Sequence, residues 1–178
     1  MFLSLIQKRR SIRRYLPWPV EKEKIDLLIE AALRAPSSRG FNPWEFILVT
    51  ERDLLQKLSV TKKHGSSFLR NATLGIVVCA NADKSDVWVE DASIASIFIQ
   101  LAAESIGLGS CWIQIRERMH DKEKTAQQYI AEILNIPPEL KVESIIAVGH
   151  PEKRKAPHEK EELQYDKIHF NSYGDRWG

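Results

Sequence analysis

The stretch DASIASIFIQLAAESIGLGSCWIQI, residues 91–115, joins two kinds of apolar pattern in one run. Its first part repeats apolar side chains at helical spacing, which predicts a helix over residues 88–106 that is apolar around more than half of its circumference. Gly107 and Gly109 end that helix. The next residues, 110–115, form a short apolar run that predicts a buried strand. A helix with so much apolar surface belongs in a core or an interface.

The rest of the chain alternates helical and strand patterns in the same way. The other predicted helices span residues 2–9, 21–34, 51–58 and 122–134, and the other predicted strands span 44–50, 75–81 and 142–149. Taken alone, this alternation favours a parallel, doubly wound sheet covered by helices. At this length, 178 residues, we expect one domain over residues 1–178.

The last segment, residues 151–178, is polar and has little periodicity of its own. It nevertheless holds four aromatic residues: Tyr165, Phe170, Tyr173 and Trp177. Aromatic side chains in an irregular segment indicate docking onto another surface, such as a second subunit.

Composition excludes several classes of protein. The net charge is +2, from 26 Lys and Arg against 24 Asp and Glu, which argues against a general nucleic-acid binder. No apolar run is long enough to predict a membrane span, and the order of charges at the N-terminus is wrong for a secretory signal. Cys79 and Cys111 read as buried thiols, and no histidine spacing predicts a metal site. We therefore expect a cytoplasmic protein without a metal.

The basic run QKRRSIRRY, residues 7–15, places five cations between Lys8 and Arg14. Arginine side chains match phosphate oxygens in pairs, and the hydroxyl of Ser11 offers a further hydrogen bond. A phosphate monoester carries close to two negative charges, which suits two or three arginines. Two other interpretations stay open from the residues alone: a solvated charge run, or an N-terminal arm that contacts nucleic acid.

A second candidate segment is the loop APSSRGFNPW, residues 35–44. Two prolines stiffen it, Gly40 allows a close backbone approach, and its polar side chains can hydrogen-bond the edge of a planar ring. A plain polar turn is the alternative. Glu90 and Asp91 open the long helix, where helix capping accounts for them. There is no catalytic triad and no glycine-rich nucleotide motif, so the reactive atoms of an enzyme with this sequence would come from a cofactor.

Five segments, in this order and spacing, resemble the nitroreductase family of FMN-dependent oxidoreductases. They are RRSIR at 9–13, APSSRGFNPWEFILV at 35–49, DASIASIFIQLAAESIGLGSCWIQIRER at 91–118, IIAVGHPEKRK at 145–155 and HFNSYG at 169–174. The resemblance runs from about residue 5 to the end. It implies an α+β fold with a mixed, mainly antiparallel sheet flanked by helices, instead of the parallel sheet. It also implies an intertwined homodimer, with FMN at the interface and the tail from about residue 151 docked on the partner.

The resemblance also assigns cofactor contacts. Those to the FMN phosphate and ribityl chain would be Arg9, Arg10, Ser11 and Arg13, with Arg154 and Lys155 closing the same site. Those to the isoalloxazine ring would be Pro36, Ser37, Ser38 and Asn42 from the partner subunit, and Gln114, Ile115 and Arg116, mostly through backbone groups near N5 and O4. The segment 62–71 should also touch the flavin, without one residue being singled out.

The activity that the resemblance implies is ping-pong hydride transfer. NADH or NADPH would reduce the flavin, and a small-molecule acceptor would take its place: a nitroaromatic, a quinone or free flavin. No protein nucleophile is needed. Alternatives are a specialised family member that dehalogenates or processes flavin, and a flavin- or nucleotide-binding module without turnover. The chain has little room for a lid, which favours an open, permissive pocket.

Overall fold

The computed structural model describes residues 2–176. The helices are α1 (Phe2–Lys8), α2 (Lys22–Leu33), α3 (Arg52–Leu58), α4 (Trp88–Ser105) and α5 (Ala126–Leu134). The strands are β1 (Trp44–Val49), β2 (Leu74–Asn81), β3 (Gly109–Gln114) and β4 (Leu140–Gly149). Short 3₁₀ helices cover Ser38–Gly40, Ser67–Asn71, Lys160–Glu162 and Tyr165–Lys167. The bounds of most elements agree with the sequence patterns to within two residues.

The four strands form one sheet in the order β1-β2-β4-β3, and every neighbouring pair is antiparallel. The α+β class with a mainly antiparallel sheet is therefore confirmed, and the parallel doubly wound sheet favoured by alternation is wrong. Among residues 2–176, parallel pairing occurs as an isolated bridge between Ser11 and Ser110. Alternation could not report direction because a strand buried on both faces is apolar throughout, whichever way it runs.

Both faces of the sheet are covered by helices. On one face Val77 and Ile145 pack in the same core as Ile130 of α5. On the other face Ile76 packs in a second core with Ile99 of α4, where α2 also lies. These side chains are at most 2% exposed, and each contributes about 1.5–3 kcal/mol by leaving water. Part of the apolar surface of α4 is thus buried against the sheet.

The helix predicted over residues 122–134 begins later than the pattern indicates, at Ala126. Thr125 caps it, because its hydroxyl accepts from the Gln128 N–H at 3.1 Å and the Gln128 side chain accepts from the Thr125 N–H at 2.9 Å. Before the cap, Asp121 Oδ1 accepts from two backbone N–H groups at 2.8 Å, which folds this segment into a turn. A short side chain that bonds the backbone competes with helix.

The segment after α1 lies along the edge of the sheet at β3. The Ile12 N–H donates to Ser110 O at 2.9 Å, and the Ile12 side chain is buried. Gly109 makes this approach possible, since a Cβ there would lie 2.8 Å from Ile12. Tyr15 packs against Gly149 in the same way. The basic run is therefore fixed to the two strands beside it.

The tail after β4 carries little regular structure. Three of the predicted docking residues are strongly exposed: Tyr165 by 50%, Phe170 by 49% and Tyr173 by 93%. Trp177 lies outside the described residues. Docking of the tail on a partner stays a prediction. Within residues 2–176, no helix is both long and apolar enough to cross a membrane.

Candidate functional site

A basic cleft of about 1040 Å³ opens between the N-terminal segment and the segment after β4. We call it the N-terminal cleft; it is lined by Arg10, Ile12, Arg13, Arg14, Glu152, Lys153, Arg154, Lys155 and Ala156. Two backbone hydrogen bonds bring the segments together: Leu16 N–H to His150 O at 2.8 Å, and Glu152 N–H to Arg14 O at 3.1 Å. The cleft thus assembles both predicted phosphate-binding segments, which are 140 residues apart in sequence.

Some of the cations in this cleft are already paired. Arg14 lies 3.8 Å from Glu152, and Arg154 donates to Glu104 Oε1 at 2.7 Å and to Gly107 O at 3.1 Å. Arg10 donates to the carbonyl of Ala156. Arg154 therefore shapes the wall of the cleft while its guanidinium is held by a carboxylate.

Other cations have no carboxylate partner. Within residues 2–176, Arg9, Arg13 and Lys155 make no ion pair; Arg13 lies over the Phe68 ring, 5.6 Å from its centroid. An anion entering here would meet positive charge that no acidic side chain offsets.

The thiol of Cys111 lies near several of the predicted phosphate-binding side chains. Burial raises its pKa, and against this the charges of Arg13, Lys155 and Arg9 and a hydrogen bond from Ser11 lower it. Ser11 pairs with Ser110, the neighbour of Cys111, at the start of β3. Of the six residues predicted to hold the phosphate, Arg9, Ser11, Arg13 and Lys155 thus lie near one end of this strand.

The loop after α2 is folded on itself. The Ser37 hydroxyl donates to Asn42 Oδ1 at 2.8 Å and accepts from the Asn42 N–H at 2.9 Å. Arg39, Gly40 and Asn42 all have left-handed φ, between 46° and 69°. Pro36, Ser37, Ser38 and Asn42 do not line the N-terminal cleft of their own chain. These residues lie close to one another, but they do not lie with the predicted phosphate-binding residues of the same chain.

Asp91 holds this loop in place. Its Oδ1 accepts from the Ser38 N–H and its Oδ2 from the Ser85 hydroxyl, both at 2.8 Å, and the residue is 2% exposed. Helix capping is therefore the wrong explanation for Asp91, because its oxygens bond groups outside α4. The sequence gives no local signal for this contact, because Asp91 lies beside Glu90 in the first turn of the helix, where a capping role is expected.

The third predicted group lies at the other end of β3. The N–H groups of Ile115 and Arg116 both donate to Glu143 O at 3.1 Å. The side chain of Ile115 is fully buried, so it packs in the core. The amide of Gln114 accepts from Trp112 Nε1 at 2.9 Å and donates weakly to Glu143 Oε1 at 3.4 Å. Gln114 and Arg116 are the partly exposed members of this turn.

Glu143 is a functional candidate that the sequence analysis missed. It is 3% exposed, and its Oε2 makes no hydrogen bond among residues 2–176. Burial raises its pKa; the Gln114 amide and the Arg116 charge oppose that shift, while Glu117 adds to it. The signal was an acid inside the apolar run VESIIAVG.

Lys62 is the second missed residue, and it connects segment 62–71 to the same turn. Its Nζ donates to Gln114 O at 2.9 Å. Burial lowers its pKa, and the positive charge of Arg118 lowers it further. Lys62 is thus a cation whose side chain reaches the end of β3.

The two groups of candidate residues are separated by the length of one strand. Ser110 and Gln114 are four residues apart, or about 13 Å at the rise of an extended strand. A single ligand that contacts both has to be elongated, with an anionic end beside Ser11 and a hydrogen-bonding end beside Gln114. The described residues contain no cluster of three or more His, Cys, Asp or Glu that could hold a metal ion.

Comparison with known sequences gives a family match over most of the chain. The sequence profile of the nitroreductase family matches residues 6–61 and 55–150. A protein of Archaeoglobus fulgidus named for NADH dehydrogenase or NAD(P)H nitroreductase activity is 36% identical, over 94% of this chain and 95% of its own length. An FMN reductase [NAD(P)H] of Bacillus subtilis is 27% identical, over 86% of this chain and 67% of its own.

Solved structures agree with the sequence matches. An FMN-dependent nitroreductase of Clostridium difficile superposes with a TM-score of 0.95 at 48% identity, covering 96% of this chain and 99% of that one. A protein of Parabacteroides distasonis, named like the Archaeoglobus protein, gives a TM-score of 0.88 at 36% identity. The fold therefore extends over nearly the whole chain in both proteins.

Replacing Glu143 by glutamine should change how folding stability depends on pH. Because burial raises the Glu143 pKa above its ordinary 4.5, the folded state keeps this proton where the unfolded chain has lost it. The stability that the proton confers is fully present below pH 4.5 and is lost as pH rises through the folded pKa. We expect the wild type to lose free energy of unfolding relative to Glu143→Gln across that window, measured by urea denaturation at a series of pH values.

The control is Glu139→Gln, which changes an exposed carboxylate just before β4. Its stability should follow the wild-type pH profile. Parallel profiles for Glu143→Gln and the wild type would contradict a raised Glu143 pKa.

Proposed function

Because the chain belongs to the nitroreductase family, we propose that it is an FMN-dependent oxidoreductase that draws electrons from NADH or NADPH. Its acceptors would be small molecules: nitroaromatics, quinones or free flavin. The observation that carries this proposal is the N-terminal cleft: Arg13 and Lys155 line it without an ion pair among residues 2–176, and Ser11 and Arg9 lie beside it in the same segment.

The donor set of this cleft fits the phosphate of FMN. That group carries close to two negative charges and three acceptor oxygens. The three unpaired cations and the Ser11 hydroxyl supply matching charge and donors. The nearest carboxylates do not compete, since Glu152 and Glu104 are bound to Arg14 and Arg154. Arg10 and Arg154 would then position the walls of the cleft.

The residues at the far end of β3 fit the isoalloxazine ring. Gln114 and Arg116 offer hydrogen-bonding groups at the edge of the ring, and Ile115 holds the turn in the core. Lys62, whose Nζ donates to Gln114 O, would place a positive charge beside the ring, and such a charge would stabilise the anionic reduced flavin. When bound, FMN supplies an acceptor at N5 that takes a hydride from the dinucleotide and passes the electrons on after that product leaves, in ping-pong order.

A second copy of the chain would complete the site. The loop with Pro36, Ser37, Ser38 and Asn42 is rigidly held yet does not line the N-terminal cleft of its own chain. The exposed aromatics of the tail offer an apolar surface for a partner. We infer a homodimer in which each loop faces the ring held by the other chain. The free, buried thiols of Cys79 and Cys111 suit a reducing compartment such as the cytoplasm.

The purified protein is expected to show the visible absorbance bands of oxidised flavin. Anaerobic NADH or NADPH should bleach these bands, and a nitroaromatic, a quinone or free flavin should restore them, as followed by stopped-flow spectroscopy. Bleaching with no recovery by any acceptor in the panel would point to a specialised substrate. Protein that stays colourless after incubation with FMN would refute the proposed function.

The double variant Arg9→Ala/Arg13→Ala should lose FMN while keeping its fold. Each guanidinium–phosphate contact stabilises the complex by about 1.5–3 kcal/mol, so the pair should weaken binding by about 100-fold or more. The flavin-to-protein absorbance ratio after gel filtration measures the loss, and circular dichroism measures the fold. The matched control, Arg34→Ala/Arg52→Ala, removes two arginines that do not line the cleft and should retain FMN. Stoichiometric FMN in the first variant would contradict the phosphate assignment.

Light scattering coupled to gel filtration tests the shared site. We expect a particle of twice the 20.5 kDa chain mass, because each ring would need the loop of the other chain. A monomer that retains bound FMN at the same concentration would show that residues 36–42 are not required, and the partner contacts would have to be abandoned.

A further inference from the structure

A second cleft, separate from the N-terminal cleft, lies between the segment after α3 and the turn that precedes α5. It has a volume of about 610 Å³ and is lined by Ser59, Val60, Lys62, Lys63, Ser67, Arg70, Met119, His120, Asp121 and Lys122. We call it the lysine cleft. The residues singled out individually as FMN contacts do not line it. Lys62, Lys63, Ser67 and Arg70 belong to segment 62–71, which the resemblance places near the flavin without choosing a residue.

The lysine cleft holds four cations that no carboxylate neutralises. Among residues 2–176, Lys62, Lys63, Arg70 and Lys122 make no ion pair. The acid in the lining is Asp121, whose Oδ1 accepts from two backbone N–H groups and whose Oδ2 lies 3.9 Å from His120 Nε2. The cleft therefore presents uncompensated positive charge, in a chain whose net charge is only +2.

The walls of the lysine cleft are fixed by contacts between its two segments. The His120 ring stacks on Tyr129 with centroids 3.9 Å apart, and His120 Nδ1 is hydrogen-bonded to Thr61 O at 3.0 Å. On the other wall, the Ser66 hydroxyl donates to Ser59 O at 2.9 Å. The cations thus stand on a preformed concave surface, which sets them apart from a run of solvated lysines.

The lysine cleft is adjacent to the ring end of the proposed FMN site. Lys62 lines it and also donates to Gln114 O at 2.9 Å. Phe68, beneath the Arg13 guanidinium, lies between Ser67 and Arg70 in the 3₁₀ helix that forms one wall. A ligand that places a planar ring against the flavin could therefore extend its other end into the lysine cleft.

We propose that the lysine cleft binds the phosphates of the reducing dinucleotide and thereby selects NADPH over NADH. This inference rests on the proposed function. The pyrophosphate common to both dinucleotides carries about two negative charges, and the 2′-phosphate of NADPH adds about 1.5–2 more. Lys63, Arg70 and Lys122, with Lys62 shared between this cleft and the ring end, supply more positive charge than the pyrophosphate alone requires. Ser67, at the rim, adds a hydroxyl donor.

Steady-state kinetics of the holoprotein test the selection. We expect a lower KM for NADPH than for NADH in the wild type. The variant Lys63→Ala/Lys122→Ala should raise the KM for NADPH about tenfold or more, raise that for NADH less, and leave kcat nearly unchanged, because these lysines contact the phosphates and not the reacting atoms. The matched control, Lys22→Ala/Lys141→Ala, removes the same charge outside the cleft and should leave both KM values unchanged.

Direct binding gives a readout that does not need turnover. In calorimetric titrations of the holoprotein, adenosine 2′,5′-bisphosphate should bind more tightly than adenosine 5′-monophosphate, and Lys63→Ala/Lys122→Ala should abolish the difference. Equal binding of the two probes, or equal changes in both KM values, would overturn the inference while FMN binding and reduction still upheld the proposed function. A protein that takes up no FMN would instead refute the function, and the same titration of the apoprotein would still decide whether the cleft binds the 2′-phosphate.

Discussion

The docking of the N-terminal segment on β3 is the contact on which the candidate site depends. Ile12 donates its N–H to Ser110 O, buries its side chain over Gly109, and has its own carbonyl bound by the Tyr15 hydroxyl at 2.6 Å. Five cations within seven residues repel one another, and an isolated peptide would splay them into solvent. Burial of Ile12 and Tyr15 offsets this repulsion and holds the charges around the start of one strand. The burial of Ile12 and Tyr15, and not the arginines themselves, therefore fixes the position of the positive charge.

That arrangement leaves the protein with positive charge that its own carboxylates do not neutralise. One end of β3 carries the charges of Arg9, Arg13 and Lys155. The other end carries Lys62, whose pKa is lowered by burial and by the positive charge of Arg118. Repulsion between these cations lowers the free energy of unfolding of the ligand-free protein. An anionic ligand that binds only the folded state raises that free energy again. Under the proposed function, stability and ligand affinity would be coupled through the same side chains.

Sequence periodicity predicted the positions of the helices and strands because burial imposes a period of 3.6 or 2 on apolar residues. It could not give strand direction, since β2 and β4 are buried on both faces. The basic run was recognisable because its cations are contiguous, and Arg13 and Lys155 do line one cleft. Asp91 was assigned the wrong role, and Glu143 and Lys62 were missed, for a common reason. Each is a single polar residue with a hydrogen-bond partner 29 or more residues away, and such pairings leave no local spacing to detect.

Two buried acids, Asp91 and Glu143, hold exposed or partly exposed loops in position. Left-handed backbone at Arg39 and Asn42 costs each residue roughly 1 kcal/mol or more, so the loop holds its shape only if contacts outside it compensate. Asp91 contributes to that compensation, because its Oδ1 accepts from the Ser38 N–H of the loop while its Oδ2 is held by the Ser85 hydroxyl. Glu143 holds the turn at Ile115 and Arg116 through its backbone carbonyl, and within residues 2–176 its side-chain Oε2 has no hydrogen-bond partner. Both side-chain oxygens of Asp91 therefore accept hydrogen bonds, whereas only Oε1 of Glu143 does so among the described residues. An unbonded buried oxygen costs stability, and this one belongs to a residue whose other oxygen is bonded to Gln114, one of the residues proposed to hold the ring. Such a cost is typical of functional sites, which is why Glu143 is a candidate residue.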